Sequence, residues 1–317
     1  MTSNKTSRRD VLALGTAVAA GGAVSAAASE QKVPVPAAAA PGLVDRAFLR
    51  LAEGLVHYRH AGSPTNRKRL PLYLAHAGPG SSRAFEPLLP ALALQRFAFA
   101  PDMLGNGDSA APAGERLDMP YYVDCAVRIM DSLGIDKVDF YGAHTGAQIG
   151  VQLAVMFPQR VRRLVLDGIP LFAEDFRQRL LANYAPKITP DDHGGHLSWA
   201  WNFVRDQSLF WPYFDRQPAN RLANPVASPA QLHLGVTDVL KALGTYHIAY
   251  RAAFLQDLRP LLPQLQCPVL IMASERDPLS MYLDDAAALV PNANKKIWLR
   301  SSTLAERVDA VNSFLES

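Results

Sequence analysis

The sequence predicts an α/β fold in which a mostly parallel, doubly wound sheet carries a helical cap inserted between two of its strands. Three observations predict it. Short apolar runs bounded by turn residues alternate with segments of helical length and periodicity. One stretch, from about Pro170 to Leu262, is mostly helical in pattern and too long for a loop. The chain has 317 residues and is 49% hydrophobic, enough for one large core.

Each element follows in order. "DRAFLRLAEG" and "LVHYRHAG" form an opening pair of strands. "LPLYLAHAG" is apolar and continuous, as a parallel strand covered on both faces must be. A helix is expected over "SSRAFEPLLPALALQ", then the strand "RFAFAPD" and the helix "PYYVDCAVRIMDSLGI". "KVDFYGA" is a strand, "TGAQIGVQLAVMFP" a helix and "RVRRLVLDGI" a strand. After the helical insertion come the strand "PVLIMAS", the helix "SMYLDDAAALV", the strand "KKIWL" and a last helix from about Leu304. The expected organisation is a signal over 1–28, a Pro/Ala linker over 29–42, core over 43–170, cap over 171–262 and core again over 263–317.

The first 28 residues read as an address. Arg8 and Arg9 run into a weakly hydrophobic, Ala/Gly-rich stretch that ends in Ala26-Ala27-Ala28, a pattern that resembles a bacterial Tat signal. The export machinery is then one expected partner, and the mature chain is expected in the periplasm or outside the cell. No later segment approaches 18 uninterrupted apolar residues, so no membrane anchor is expected in the mature form. Of the formal charge of +3, +2 lies within those 28 residues, and the nearly neutral remainder gives a nucleic acid nothing to grip. Zinc-type cysteine spacing, a Walker loop, a G-x-G-x-x-G element and internal repeats are all missing, so no cofactor and no metal are expected. Cys125 and Cys267 read as structural.

Four motifs then carry a resemblance. "HAGPGSS" (His76 to Ser82) is similar to an H-G-x-P-G loop, "PDMLGNGDS" to a D-x-x-G-x-G-x-S loop, "GAHTGA" to a G-x-S-x-G nucleophile elbow, and "CPVLIMASERDP" to a strand that presents a catalytic acid. In that order the chain from about Leu43 onward resembles the α/β-hydrolase superfamily, in its capped epoxide-hydrolase, dehalogenase and C–C-hydrolase-like branch. The resemblance implies a small-molecule substrate or ligand. It implies a strained elbow at residue 144, oxyanion donors from the backbone of Thr145 and Gly78, and an acid at Asp277 or, alternatively, at Asp167.

The chain departs from the family pattern twice. Where the nucleophilic serine belongs it has His144, and no histidine follows His247, so the usual base after the last strand is missing. The polar groups there are Ser301, Ser302 and Thr303. A serine-esterase mechanism is therefore not expected. Three readings of His144 stand open. It does acid–base or nucleophilic work itself, with Asp277, on an ester, lactone or carbonyl compound or as a lyase or isomerase; one variant has it activate Ser301 or Ser302. Alternatively the pocket binds a ligand without turnover, or His144 fills a polar niche. Asp102 reads as a turn former near the mouth, with a supporting catalytic role as the alternative. In the cap, "HGGHLSWAWNFVRD" offers His196, Trp201 and Arg205 as pocket residues, with His76 from the loop below, although aromatics at helical spacing also serve as cap core and Arg205–Asp206 as a surface pair.

Overall fold

The computed structural model describes residues 42–65, 68–291, 293–298 and 302–317. The expected signal, nearly all of the expected linker, and Ser301 lie outside the described residues.

Eight strands form one sheet in the order β1-β2-β4-β3-β5-β6-β7-β8. β1 (Asp45–Leu51) and β2 (Gly54–Ala61) make an antiparallel hairpin, and β2 also pairs antiparallel with β4 (Ala98–Pro101). From there β3 (Leu72–Ala75), β5 (Val138–Ala143), β6 (Val161–Asp167), β7 (Val269–Ser274) and β8 (Asn294–Trp298) run parallel. The chain goes from β3 to β4 on one side and then crosses to β5 on the other. Order reverses at β3, and open α/β sheets hold ligands beyond the strand ends at such a switch.

The local chemistry explains the elements. β3 is buried at all four positions, which suits its unbroken apolar sequence. β5 carries one charge inward, Asp139, which is fully buried and held by Arg96 at 2.6 Å and by Arg162 at 2.8 and 2.7 Å. Such a charge is tolerated only with its partners in place. The long helix expected over "SSRAFEPLLPALALQ" is replaced by a 3-10 turn, Ser82–Phe85, and a short helix α1 (Leu89–Leu92). Pro87 and Pro90 lack the amide protons that a continuous helix would use. α2 (Met119–Ser132) is capped by Asp118, whose side chain accepts from the Tyr121 amide. α3 (Thr145–Met156) starts directly from the turn after β5.

Between β6 and β7 lie α4 (Glu174–Asn183), α5 (Gly195–Gln207), α6 (Pro229–Lys241) and α7 (Tyr246–Leu255). Their shared core is aromatic: Phe172, Tyr184, Phe203, Tyr213, Tyr246 and Phe254 are all buried. Each such ring removes enough apolar surface from water to contribute ~2 kcal/mol. α8 (Leu283–Leu289) follows β7, and α9 (Leu304–Glu316) closes the described chain. A capping box joins Thr303 and Glu306 at the start of α9. Among the described residues, no helix is long and apolar enough to cross a membrane. Cys125 and Cys267 are free thiols.

Candidate active site

The site begins with backbone strain. His144 sits between β5 and α3 at φ 48 and ψ −108, and it is the one non-glycine residue with positive φ among those described. Such a conformation costs about 1–3 kcal/mol and persists only where the surroundings fix it. Here the His144 amide donates to the Asp167 carbonyl at 2.9 Å, and its carbonyl accepts from the Gln148 amide at 3.1 Å. The neighbouring glycines make the turn sterically feasible. A side chain at Gly142 would meet the backbone of Gly146, and one at Gly146 would meet Ala75, whose Cβ lies 2.9 Å from the added carbon.

The strained turn aims the imidazole at Asp277. His144 Nε2 lies 2.7 Å from Asp277 Oδ2. The carboxylate is itself fixed, because Asp277 caps the 3-10 turn after β7 and its Oδ1 accepts from the Leu279 amide at 2.9 Å. Gly168, at φ +74, packs against the same edge of the ring. A Cβ there would fall 2.5 Å from His144 Cδ2, 2.6 Å from Nε2 and 2.7 Å from Asp277 Oδ2. Burial, the largest influence, acts against ionising either group, but their mutual attraction and hydrogen bond outweigh it. The net effect raises the His144 pKa above its ordinary value, with a further push from the charge of Asp167, and holds Asp277 below the usual carboxylate range. An ionised carboxylate only accepts, so Nε2 carries the proton and the neutral ring keeps its lone pair on Nδ1, on the opposite edge.

The ring also borders a cavity. Its free volume is about 60 Å³, and 42% of the His144 side-chain surface is exposed. The sheet side supplies Gly78, His144, Thr145 and Gln148. The cap side is aromatic, with Phe172, Tyr184, Trp211, Tyr250 and Phe254. The hydroxyls of Tyr184 and Tyr250 both accept from Gln207 Nε2, at 3.2 and 3.3 Å. Thr145 is the first residue of α3, so its amide has no partner within the helix and points with the positive end of the helix dipole. The Gly78 amide makes only a long bond, 3.4 Å, to Thr145 Oγ1. The residues that carry these two amides line the cavity together with His144.

Behind the imidazole is a second network. Asp167, at the end of β6, accepts from the Tyr141 hydroxyl and from Arg307 of α9, the latter at 2.8 Å. Burial raises the Asp167 pKa, with the nearby Asp277 charge adding to it, against the opposing pull of Arg307 and Tyr141.

Four expected pocket residues stand elsewhere. His76 is fully buried and structural: Nδ1 bonds the Ala77 carbonyl at 2.8 Å and Nε2 accepts from the Met103 amide at 2.9 Å. Burial lowers its pKa against the raising pull of Asp102, which suits a neutral ring. His196 accepts from the Asp191 amide at 3.3 Å and lines a separate surface cleft. Trp201 is exposed, and Arg205 pairs with Asp206 at 2.8 Å on the cap. The cavity-facing tryptophan is Trp211 instead. Asp102 is also structural. It is buried, accepts from His57 Nδ1 at 2.9 Å and from the amides of Ser82 and Asp108 at 2.6 and 2.9 Å, and these bonds pull its pKa well down despite burial. Among the described residues, His57, Asp102 and Asp108 alone bring three ligand-type atoms together, but these hydrogen bonds already occupy the Asp102 oxygens that a cation would need. Ser302 does not line the cavity. Thr303 is committed to the cap of α9.

Sequence reasoning missed Gly168, Gln148, Tyr184 and Tyr250. Gln148 had a readable signal, one helical turn after the elbow on the face that carries residue 144. The tyrosines had none, since cap residues meet the sheet only through tertiary packing.

A family model described as alpha/beta hydrolase fold matches residues 71–298. Among characterised relatives, the chain is similar to a 2-hydroxymuconate semialdehyde hydrolase of Pseudomonas sp. strain CF600, 42% identical over 101 residues, 31% of this chain and 36% of that protein. The matched stretch therefore spans little more than a third of that relative's length. Among solved structures, epoxide hydrolase A from Mycobacterium thermoresistibile superposes with a TM-score of 0.69 at 18% identity, over 87% of this chain and 99% of the other. The enol-lactonase from Burkholderia xenovorans LB400 gives 0.62 at 20% identity, over 86% and 100%. At such identities the likeness is one of fold.

Proposed function

This chain is a member of the α/β-hydrolase fold family, and we propose that it is an exported, cofactor-independent hydrolase of a small apolar ester, lactone or carbonyl compound that uses His144 as its general base. One observation carries the reading: the 2.7 Å bond between His144 Nε2 and Asp277 Oδ2, made by a strained residue on the cavity floor. A histidine on the elbow reaches the acid directly. It spans the gap that a serine and a separate histidine bridge in the ordinary triad, so a histidine after the last strand has no task left.

The proposed chemistry needs no serine. With Nε2–H donated to Asp277, Nδ1 takes a proton from a water molecule as its oxygen attacks the substrate carbonyl carbon. The developing oxyanion accepts from the amides of Thr145 and Gly78. Collapse expels the leaving group, which receives the proton from Nδ1 and restores the neutral imidazole. Asp277 keeps the ring in its working tautomer and stabilises the imidazolium between the two steps. The aromatic cap surface supports an apolar or aromatic substrate body. The Arg8-Arg9 pair supports export by the Tat route.

The test compares the chain from residue 29 onward with its His144→Ala variant on chromogenic esters, lactones and C–C-cleavable diketones, from about pH 5 to 9 around the ordinary imidazole pKa. Hydrolysis that disappears in the variant supports the reading. Deuterium exchange into a carbonyl compound without hydrolysis would replace it with proton-abstraction chemistry, and tight binding without turnover with a ligand-binding role.

A further inference from the structure

Gln148 lies on α3 one turn beyond His144, with its amide bonded to the His144 carbonyl at 3.1 Å. It lines the cavity beside His144, Thr145 and Gly78. Its side chain is buried, with 4% of the residue exposed, yet Oε1 accepts no hydrogen bond from any described residue. Buried amide oxygens almost always have a partner, because leaving water without replacing the lost bond is unfavourable. Packing does not require this polarity, since a leucine or methionine would fill similar space in a wall that is otherwise largely apolar or aromatic. A cavity-lining glutamine whose enclosed acceptor has no donor among the described residues is what a site has when its partner arrives with the ligand.

We infer that Gln148 is a specificity-determining residue that accepts a hydrogen bond from a neutral hydroxyl group carried by the substrate close to its reacting carbonyl carbon. The inference rests on reading the cavity as a substrate site. A hydroxyl suits the position because it donates and accepts, so it satisfies the carboxamide whichever way the amide is turned. Neutrality follows from the walls: among the described residues no lysine or arginine lines the cavity, and Asp277 holds a negative charge at the imidazole, so a carboxylate in the same place would find no cationic partner there. The expected ligand is thus a hydroxylated carbonyl compound with an aromatic or apolar body. The analogue without the hydroxyl leaves Oε1 unsatisfied, and such sites discriminate well against it.

The experiment pairs 2-hydroxyacetophenone with acetophenone, two neutral aromatic ketones that differ by this hydroxyl. Binding of each is measured by calorimetry to the protein and to its Gln148→Leu and Gln148→Met variants, with thermal melts to verify folding. Ester turnover is measured separately. The unsubstituted protein is expected to bind the hydroxylated ketone about tenfold or more tightly than acetophenone. Either variant should reduce that preference to within about threefold while leaving acetophenone binding unchanged. Equal binding of the two ketones, or of neither, overturns the inference, as does a variant that weakens both by the same factor. Hydroxyl-dependent binding without ester turnover would sink the hydrolase reading and leave Gln148 its role; turnover without hydroxyl preference would do the reverse.

Discussion

His144 and Asp277, 133 residues apart in sequence, are joined by a 2.7 Å bond from Nε2 of a ring that a strained turn carries. The carboxylate fixes the tautomer and so decides which nitrogen is basic.

Asp277→Asn should therefore cost more than a lost attraction. An asparagine that turns its NH2 toward the ring makes Nε2 the acceptor and moves the imidazole proton to Nδ1, where the base is needed. The kcat of hydrolysis should fall about 10³–10⁴-fold with KM little changed. Steady-state kinetics on the best ester or lactone checks this.

The pH profile follows from the raised His144 pKa. The working form is the neutral ring, so kcat/KM should rise with pH through an inflection above about 6.5. Asp167→Asn should lower that inflection less than Asp277→Asn does, because Asp167 contributes the smaller part of the shift. Stability has the opposite slope at this group. The contribution of His144 to folding is complete below its unfolded pKa of about 6.5 and is lost as pH rises through the higher folded value. That of Asp277, whose folded pKa is lowered, is present above about 4 and is lost as pH falls through the folded value. In urea melts across pH 5–9 the stability difference between the protein and His144→Ala should change with pH through this range and level off at the alkaline end, about two units above the ordinary imidazole pKa, where only the contribution of the neutral ring remains.

Much of this was legible in the sequence. Gly142, His144 and Gly146 identified the elbow because each glycine answers a local steric need, and Asp277 was placed by its strand. Across Pro87 and Pro90 the hydrophobic pattern predicts one helix, but two missing amide donors leave a 3-10 turn and a short helix instead. The pocket assignments of His196, Trp201 and Arg205 failed for a different reason. Helical periodicity says which residues share a face, but not which face a cap turns to the sheet. Ser301 and Ser302 offer themselves as chemistry in the sequence, while the neighbouring Thr303, with Glu306 three residues on, is a capping signal.

Gly168→Ala tests the packing of the pair. The added methyl would press on the imidazole edge and on Asp277 Oδ2, at a φ of +74 that alanine tolerates poorly. Activity should fall at least tenfold, by roughly 1.4 kcal/mol or more of transition-state stabilisation, and unfolding stability by about 1–3 kcal/mol. Denaturant titration and kinetics on the same sample read both.

Replacing both Ser301 and Ser302 with alanine should leave kcat/KM within about threefold. His144 already has its partner in Asp277, so neither serine is needed as a nucleophile. A loss of two orders of magnitude, together with an acyl group found on either serine by mass spectrometry, would move the nucleophile there.

The most direct measurement is a nitrogen-15 NMR titration of the His144 ring in the protein and in Asp277→Asn. The predicted result is a ring that titrates above its ordinary pKa of about 6.5, bears its proton on Nε2 when neutral, and drops in pKa once the carboxylate is gone. A His144 that titrates at or below that value, or carries its neutral-state proton on Nδ1, would contradict the role of Asp277 and with it the case for His144 as the base.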